Sequence, residues 1–322
     1  MEFDLIELIR QRTAQPRDDV RLGIGDDAAV LAVPAGQELA VAIDTLVEGV
    51  HFPRGTAAAD IGWKALAVNL SDLAAMGASP AWALLSLTLP QADREFVEDF
   101  VEGFAQLAQP HRLALVGGDT TRGPLAISVA VHGFVPPGKA LTRQGARIGD
   151  VVLVTGTLGD GAAGLHTLQQ AARHDDGRNS LREFLVGRLN RPTPRLAAGI
   201  ALRDQAHACI DISDGLLADL GHVCAASGVG AEIDAALLPR SSALLGLYDD
   251  SAALQFALSG GDDYELCFCV PASRLAQVQA DLSRLGGGAT RIGRIVAGEG
   301  VRVRGHDGTW LDATSSGWEH FA

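Results

Sequence analysis

Phe3, Leu5, Ile6, Leu8 and Ile9 recur at a spacing that puts them on one side of a helix, so the chain is expected to open with a short amphipathic helix. Gly23-Ile24-Gly25-Asp26-Asp27 breaks that period and reads as a turn into a strand at 28–33. The pattern then predicts a strand at 39–43 ending at Asp44, and a helix over 60–76 with Asp60 as N-cap and Gly77 as stop. A buried strand is expected at 82–89. Phe96, Val97, Phe100, Val101, Phe104, Leu107 and Ala108 repeat at helical spacing inside 91–109. The run 113–116 reads as a strand entering Gly117-Gly118-Asp119, and 125–135 as another.

Pro136-Pro137-Gly138 and the polar stretch up to Gly149-Asp150 mark a junction, which divides the chain into domains 1–140 and 141–322. The second half predicts a strand at 151–155, a glycine-rich turn, a helix at 161–172, a polar loop at 174–180 and two more helices. A strand at 207–211, a helix at 213–226, strands at 230–234 and 265–270, a helix at 272–285 and three short closing strands complete it. Strands and helices alternate without a strict βαβ rhythm, so the expected fold class is α/β with mixed sheets in two domains. Gly117-Gly118-Asp119 and Gly260-Gly261-Asp262 are both expected to follow apolar strands, one in each half, as if the halves were built alike.

The 322 residues are 47% hydrophobic and 20% charged, enough to bury cores in both halves. With 39 acidic against 26 basic side chains the net charge is −13, which argues against a phosphate-backbone footprint and hence against nucleic acid as a partner. No apolar run reaches the ~18 residues of a membrane span, and Met1-Glu2-Phe3-Asp4 is acidic where a leader would be basic. The expectation is a cytoplasmic protein with no membrane partner. Cys209, Cys224, Cys267 and Cys269 form no C-x-x-C pair and are expected to be reduced, buried thiols.

Chemistry is concentrated in aspartates at strand ends and beside glycines: Asp26, Asp27, Asp44, Asp72, Asp119, Asp211, Asp214, Asp262 and Asp263. Any one of them suits a turn or cap. Gathered carboxylates repel one another unless cations neutralise them, and hard oxygen donors favour Mg²⁺ shared with substrate phosphates. Asp72 lies in the apolar segment 64–76, on the same helix face as Asn69, where an unpaired carboxylate near the helix C-terminus is unfavourable and a metal would relieve it. Asp211-Ile212-Ser213-Asp214-Gly215 puts two acids and a hydroxyl at a strand-to-helix turn, suited to capping or to phosphate and metal. Lys64 reads as a helix-surface cation. Gly159-Asp160-Gly161-Ala162-Ala163-Gly164 matches G-x-G-x-x-G, but the second strand that a dinucleotide site requires is missing. No G-x-x-x-x-G-K-[ST] and no H-R-D occurs.

Six blocks, at 23–29, 44–52, 64–78, 117–123, 211–220 and 259–266, occur in order over nearly the whole chain and resemble the signatures of the thiamine-monophosphate kinase family. The resemblance implies a two-domain fold like that of aminoimidazole ribonucleotide synthetase, a homodimer, and Mg²⁺-dependent direct transfer of the ATP γ-phosphate onto thiamine monophosphate. The N-terminal domain would bind ATP and Mg²⁺ and dimerise, and the C-terminal domain would complete the site. Carried over by motif, Asp27, Asp44, Asp72, Asp119, Asp211 and Asp214 become ligands of several Mg²⁺ ions. Gly118, Asp119, Arg143 and Ser213 would contact ATP, and His51, Asp262 and Trp318 would contact thiamine monophosphate. Asp72, Asp119 and Arg143 carry the catalytic electrostatics in this reading. The chain departs from the family pattern at Asp262, where members often carry Glu, at His111 in place of an aromatic residue, and at Ile43 in place of a hydroxyl. Selenophosphate synthetases and hydrogenase-maturation relatives share the architecture but use cysteines near the N- or C-terminus, where this chain has none.

Overall fold

The computed structural model describes residues 2–170 and 177–311, and the chain divides into two compact units. The first holds the chain up to Leu73 together with Ala78–Gly138; the second holds Ala74–Gly77 and the chain from Lys139 onward.

In the first unit the elements run α1 (Glu2–Arg12), β1 (Val20–Leu22), β2 (Val30–Leu31), β3 (Glu38–Val47), α2 (Ala58–Ala75), β4 (Ser79–Leu89), α3 (Arg94–Ala108), β5 (Ala114–Arg122) and β6 (Ala126–Val135). β3, β6, β4 and β5 form one sheet in that order, with β4 and β5 parallel and the other pairs antiparallel. β1 and β2 make a separate ribbon. Period-2 alternation in β6 turns Ile127, Val129 and Val131 inward, each fully buried. α2 is buried nearly all round, because Leu66, Leu70 and Leu73 carry no polar stripe between them and Asn69 and Ser71 are buried with them. It crosses α3 at backbone contact. A Cβ on Gly62 would lie 1.9 Å from the Phe100 carbonyl oxygen, and one on Gly103 would lie 1.8 Å from that of Ala59. On the opposite face, Trp82 packs edge-on to Phe134 at 5.0 Å between ring centres and donates its indole N–H to Asp19 at 3.0 Å.

The second unit runs β7 (Val151–Thr155), α4 (Asp160–Gln170), α5 (Asn179–Asn190), α6 (Leu196–Leu202), β8 (Ala208–Asp211), α7 (Leu216–Ser227), β9 (Gly230–Asp234), α8 (Ser242–Leu247), α9 (Asp250–Ser259), β10 (Leu266–Val270), α10 (Leu275–Arg284), β11 (Ala289–Val296), β12 (Gly300–Arg304) and β13 (Trp310–Leu311). Its seven-stranded sheet has the order β13-β12-β9-β11-β7-β10-β8, antiparallel except for β12 with β9. Both sheets are mixed, as the irregular alternation of strands and helices predicted. The core packs Val152, Val154, Ile210, Cys267 and Cys269 of the sheet against Leu216, Leu220 and Val223 of α7. All four thiols are buried and unpaired with one another, and burial pushes the Cys224 thiol up to about 11.

Several elements differ from expectation. β3 continues through Asp44 to Val47 because β6 pairs with it residue for residue, and Thr45 and Ser128 share a hydroxyl hydrogen bond of 2.7 Å. β5 likewise continues through Gly117-Gly118-Asp119 to Arg122. α2 begins at Ala58, which places Asp60 inside its first turn. Gly260-Gly261-Asp262 follows the helix α9, not a strand, so the two glycine-aspartate blocks are not structural counterparts. Lys64 is not a surface cation: it is 2% exposed and donates to the His51 carbonyl at 3.2 Å.

Candidate active site

In the first unit, the Asp44 N–H donates to Asn69 Oδ1 of α2 at 2.9 Å, and Asn69 in turn donates to the Ala65 carbonyl. The buried amide therefore ties the inner side of β3 to the helix that carries the half-buried Asp72 three residues on. Asp27 is exposed in the turn between β1 and β2, its own N–H bonded to Asp26 Oδ1. Cross-strand register lines up Thr45, Ser128, Ser86 and Asp119 in one row. Asp119 therefore shares the row of Thr45, whereas Asp44, one residue earlier, falls in the row of Val129, Leu85 and Gly118 and faces the opposite, α2 side of the sheet; β3 and β5 are its two edge strands, three strand spacings or roughly 14 Å apart. Gly118 has φ +153° and crosses β4 so closely that a Cβ would meet the Leu85 carbonyl at 1.8 Å. Beside it, Ile6, Ile9, Ile24 and Leu115 line a recess of about 90 Å³ with Gly118 and Asp119. His51 accepts the Val47 N–H on Nδ1 at 3.0 Å, which leaves the ring proton on Nε2.

In the second unit, Asp211 ends β8, and the turn Ser213-Asp214-Gly215 leads into α7. The Ser213, Asp214 and Gly215 amides converge on Asp219 Oδ2 at 3.0, 3.0 and 3.2 Å, a carboxylate one turn into the helix that fills the place of a cap. Burial, with the charges of Asp211 and Asp214 beside it, raises that carboxyl to about 7. Against this turn lies the loop 260–264: Asp262 N–H donates to the Ser213 carbonyl at 2.9 Å and Tyr264 N–H to that of Ile212 at 2.8 Å. The fold therefore brings Asp211, Ser213, Asp214 and Asp262 into one region of the second unit. Arg143 is exposed on the segment beside β8, its carbonyl accepting from Ser227 Oγ. Trp318 lies outside the described residues.

The G-x-G-x-x-G turn has a structural role. A Cβ on Gly159, Gly161 or Gly164 would strike the backbone of Ala257, Asp262 or Leu185 at 2.3–2.7 Å. The amides of Gly159 and Gly161, which would hold a pyrophosphate in a dinucleotide site, point to the buried Asp263 carboxylate at 2.8 and 3.4 Å. Burial pushes the Asp263 carboxyl well above its ordinary range. Glu265, also fully buried, accepts from Thr155 Oγ1 at 2.6 Å, Arg188 Nη2 at 2.8 Å and Arg195 Nε at 2.6 Å. Sequence reasoning missed Asp219, Tyr264, Glu265, Arg188 and Arg195. The one signal available was an acid placed directly before the all-apolar strand β10.

Among the described residues, no three His, Cys, Asp or Glu side chains meet at metal-binding spacing. The predicted metal-binding side chains are all carboxylates, a hard-oxygen donor set that fits Mg²⁺ and does not suit a thiolate- or imidazole-seeking metal.

Comparisons with known proteins bear on this arrangement. Residues 25–135 match the family described as AIR synthase related protein, N-terminal domain, and 147–306 match its C-terminal domain. The thiamine-monophosphate kinase of Escherichia coli (strain K12) is 49% identical over 322 residues, covering all of this chain and 98% of that protein. That of Haemophilus influenzae (strain ATCC 51907 / DSM 11121 / KW20 / Rd) is 43% identical over 326 residues, covering 99% of this chain and 98% of that one. The crystal structure of thiamine-monophosphate kinase from Stenotrophomonas maltophilia K279a superposes with a TM-score of 0.87 at 52% identity, covering 95% of this chain and 96% of that one. A structure of AaThiL complexed with AMPPCP and TMP superposes with a TM-score of 0.78 at 35% identity, over 99% and 97% of the two chains.

Proposed function

The chain belongs to the thiamine-monophosphate kinase family, on the AIR synthase related fold, and on that footing we propose that it moves the ATP γ-phosphate directly onto thiamine monophosphate, using Mg²⁺. The observation that carries the reading is the placement of the aspartates. Asp44 is tied to the helix of Asp72, Asp119 follows Gly118, whose backbone approaches β4 too closely for a side chain, and Asp211 and Asp214 flank Ser213.

Asp27, Asp44, Asp72, Asp119, Asp211 and Asp214 are the residues that would hold Mg²⁺. Mg²⁺ held by these carboxylates would neutralise phosphate charge. Gly118 brings backbone close to the nucleotide, Ser213 and Arg143 contact its phosphates, and the apolar recess of Ile6, Ile9 and Leu115 takes the base. His51, Asp262 and Trp318 contact thiamine monophosphate. The acceptor phosphate has a second pKa near 6 and is mostly dianionic at neutral pH, so no side chain has to remove a proton. What the residues contribute is alignment of two repelling anions and compensation of charge in a loose transition state.

A homodimer in the cytoplasm completes the proposal. Its support is the sheet face of the first unit where Leu39, Val41, Ile43 and Leu84 are exposed side by side, with Val41 at 59% and Ile43 at 65%. The mechanistic test is incubation with γ-labelled ATP and no acceptor, followed by denaturation. Direct transfer predicts no label on the protein; stoichiometric label would replace the mechanism with a phosphoenzyme route. Chelation of Mg²⁺ should abolish turnover, and turnover that persists without divalent cation would refute the metal role.

A further inference from the structure

Asp262 and Tyr264 both have left-handed backbone, with φ +64° and +52°, although neither is glycine. A bulky tyrosine is rarely found there, and such a conformation persists only where its surroundings fix it. They do so here. The Asp262 and Tyr264 amides bond to the Ser213 and Ile212 carbonyls, the Asp263 carboxylate between them is buried under the Gly159 amide, and Glu265 after them is held by Arg188 and Arg195. The consequence is local. Tyr264, only 8% exposed, folds back so that its hydroxyl donates to Asp262 Oδ1 at 3.0 Å, two residues away.

We propose that Tyr264 is a positioning residue for thiamine monophosphate: its hydroxyl holds the Asp262 carboxylate in the orientation that accepts from the amino group of the substrate's aminopyrimidine ring. This rests on the reading of Asp262 as a substrate contact given above. A buried phenol bonded to Asp262 Oδ1 orders that carboxylate before the substrate arrives. Pre-ordering acts on binding and not on the phosphoryl step, so loss of the hydroxyl should appear in one KM and not in kcat.

The test compares steady-state constants and melting temperatures of Tyr264→Phe, Asp262→Ala and the double variant with the unaltered protein. Tyr264→Phe should raise the KM for thiamine monophosphate about 3- to 10-fold, with kcat within about twofold and the KM for ATP unchanged. Asp262→Ala should raise it at least as much, and the double variant no further than Asp262→Ala alone, since the hydroxyl then has nothing to position. If Asp262→Ala raises the KM and Tyr264→Phe does not, the positioning role is overturned while the substrate contact stands. If Asp262→Ala leaves the KM unchanged, the substrate reading fails and this proposal with it. A fall in kcat together with a rise in both KM values would mark Tyr264 as merely structural and overturn the proposal. Should Tyr264→Phe fail to fold, 3-fluorotyrosine can be placed at the two tyrosines, Tyr248 and Tyr264, and resolved with Tyr248→Phe. The Tyr264 fluorine resonance should then move with thiamine monophosphate and not with ADP alone; no movement would overturn the proposal.

Discussion

Glu265→Gln tests whether the buried ion network behind the loop 260–264 holds the second unit together. The glutamate is fully buried, and the two arginines that converge on it are themselves largely covered, with 14% and 24% of their side-chain surface exposed. Among the described residues Arg188 Nε is buried without a hydrogen-bond partner, and the guanidinium's ion pairs are with Glu265 at 2.8 Å and Asp160 at 3.8 Å. The amide substitution keeps the shape and one acceptor but removes the counter-charge. Breaking a buried pair from one side costs about 3–5 kcal/mol, most of it from the charges left behind. For a unit of this size each kcal/mol lowers the melting temperature by ~2–4 °C, so a fall of about 10 °C is expected. Circular dichroism melts at pH 7, with the exposed Glu299→Gln as control, measure it. A fall of less than about 2 °C would refute the reasoning, because the arginines would then have other compensation.

Asp72→Asn should cut turnover by at least about two orders of magnitude with the melting temperature nearly unchanged; near-normal turnover at saturating Mg²⁺ would remove Asp72 from the metal set. Gly62→Val should prevent α2 and α3 from packing and give insoluble or unfolded protein, since even a Cβ would lie 1.9 Å from the Phe100 carbonyl oxygen; a normal melt would contradict the close crossing. Hydrogen bonds from Arg17 and charge-assisted contact with it hold the Asp19 carboxyl below its ordinary range. A depressed folded pKa stabilises above the unfolded value near 3.9 and is lost as pH falls through the folded one, so the stability gap between native protein and Asp19→Asn should close below about pH 4. Because burial raises all four thiols, a disulfide reagent at pH 8 should label none of them in the native protein and all four after denaturation.

Long periodic segments are legible in the amino-acid sequence, because burial on one face dictates their pattern. α3, β6, β7 and β9 fall within a few residues of expectation for that reason. The short helices α8 and α9 are not legible in this way, since neither carries an amphipathic stripe; their starts are set by Ser241 and Asp249, whose side chains accept the Leu244 and Ala252 amides. Lys64 misleads because a cation in a helix is usually solvated, whereas here a distant loop carbonyl receives it. Asp211 is legible as an acid that ends a strand before a turn, whereas Asp44 and Asp119 lie inside strands that cross-strand pairing carries on to Val47 and Arg122. Glu265 is not legible, because its partners Arg188 and Arg195 lie 77 and 70 residues away, and only tertiary folding brings them to it.

The most direct measurement of the central claim is product identity. Purified protein with ATP and Mg²⁺ is given thiamine monophosphate or free thiamine; ADP release is followed enzymatically and thiamine diphosphate by chromatography. Stoichiometric ADP and thiamine diphosphate from the monophosphate, with neither from free thiamine, is the predicted result. ATP bound or hydrolysed with no thiamine diphosphate formed would contradict it.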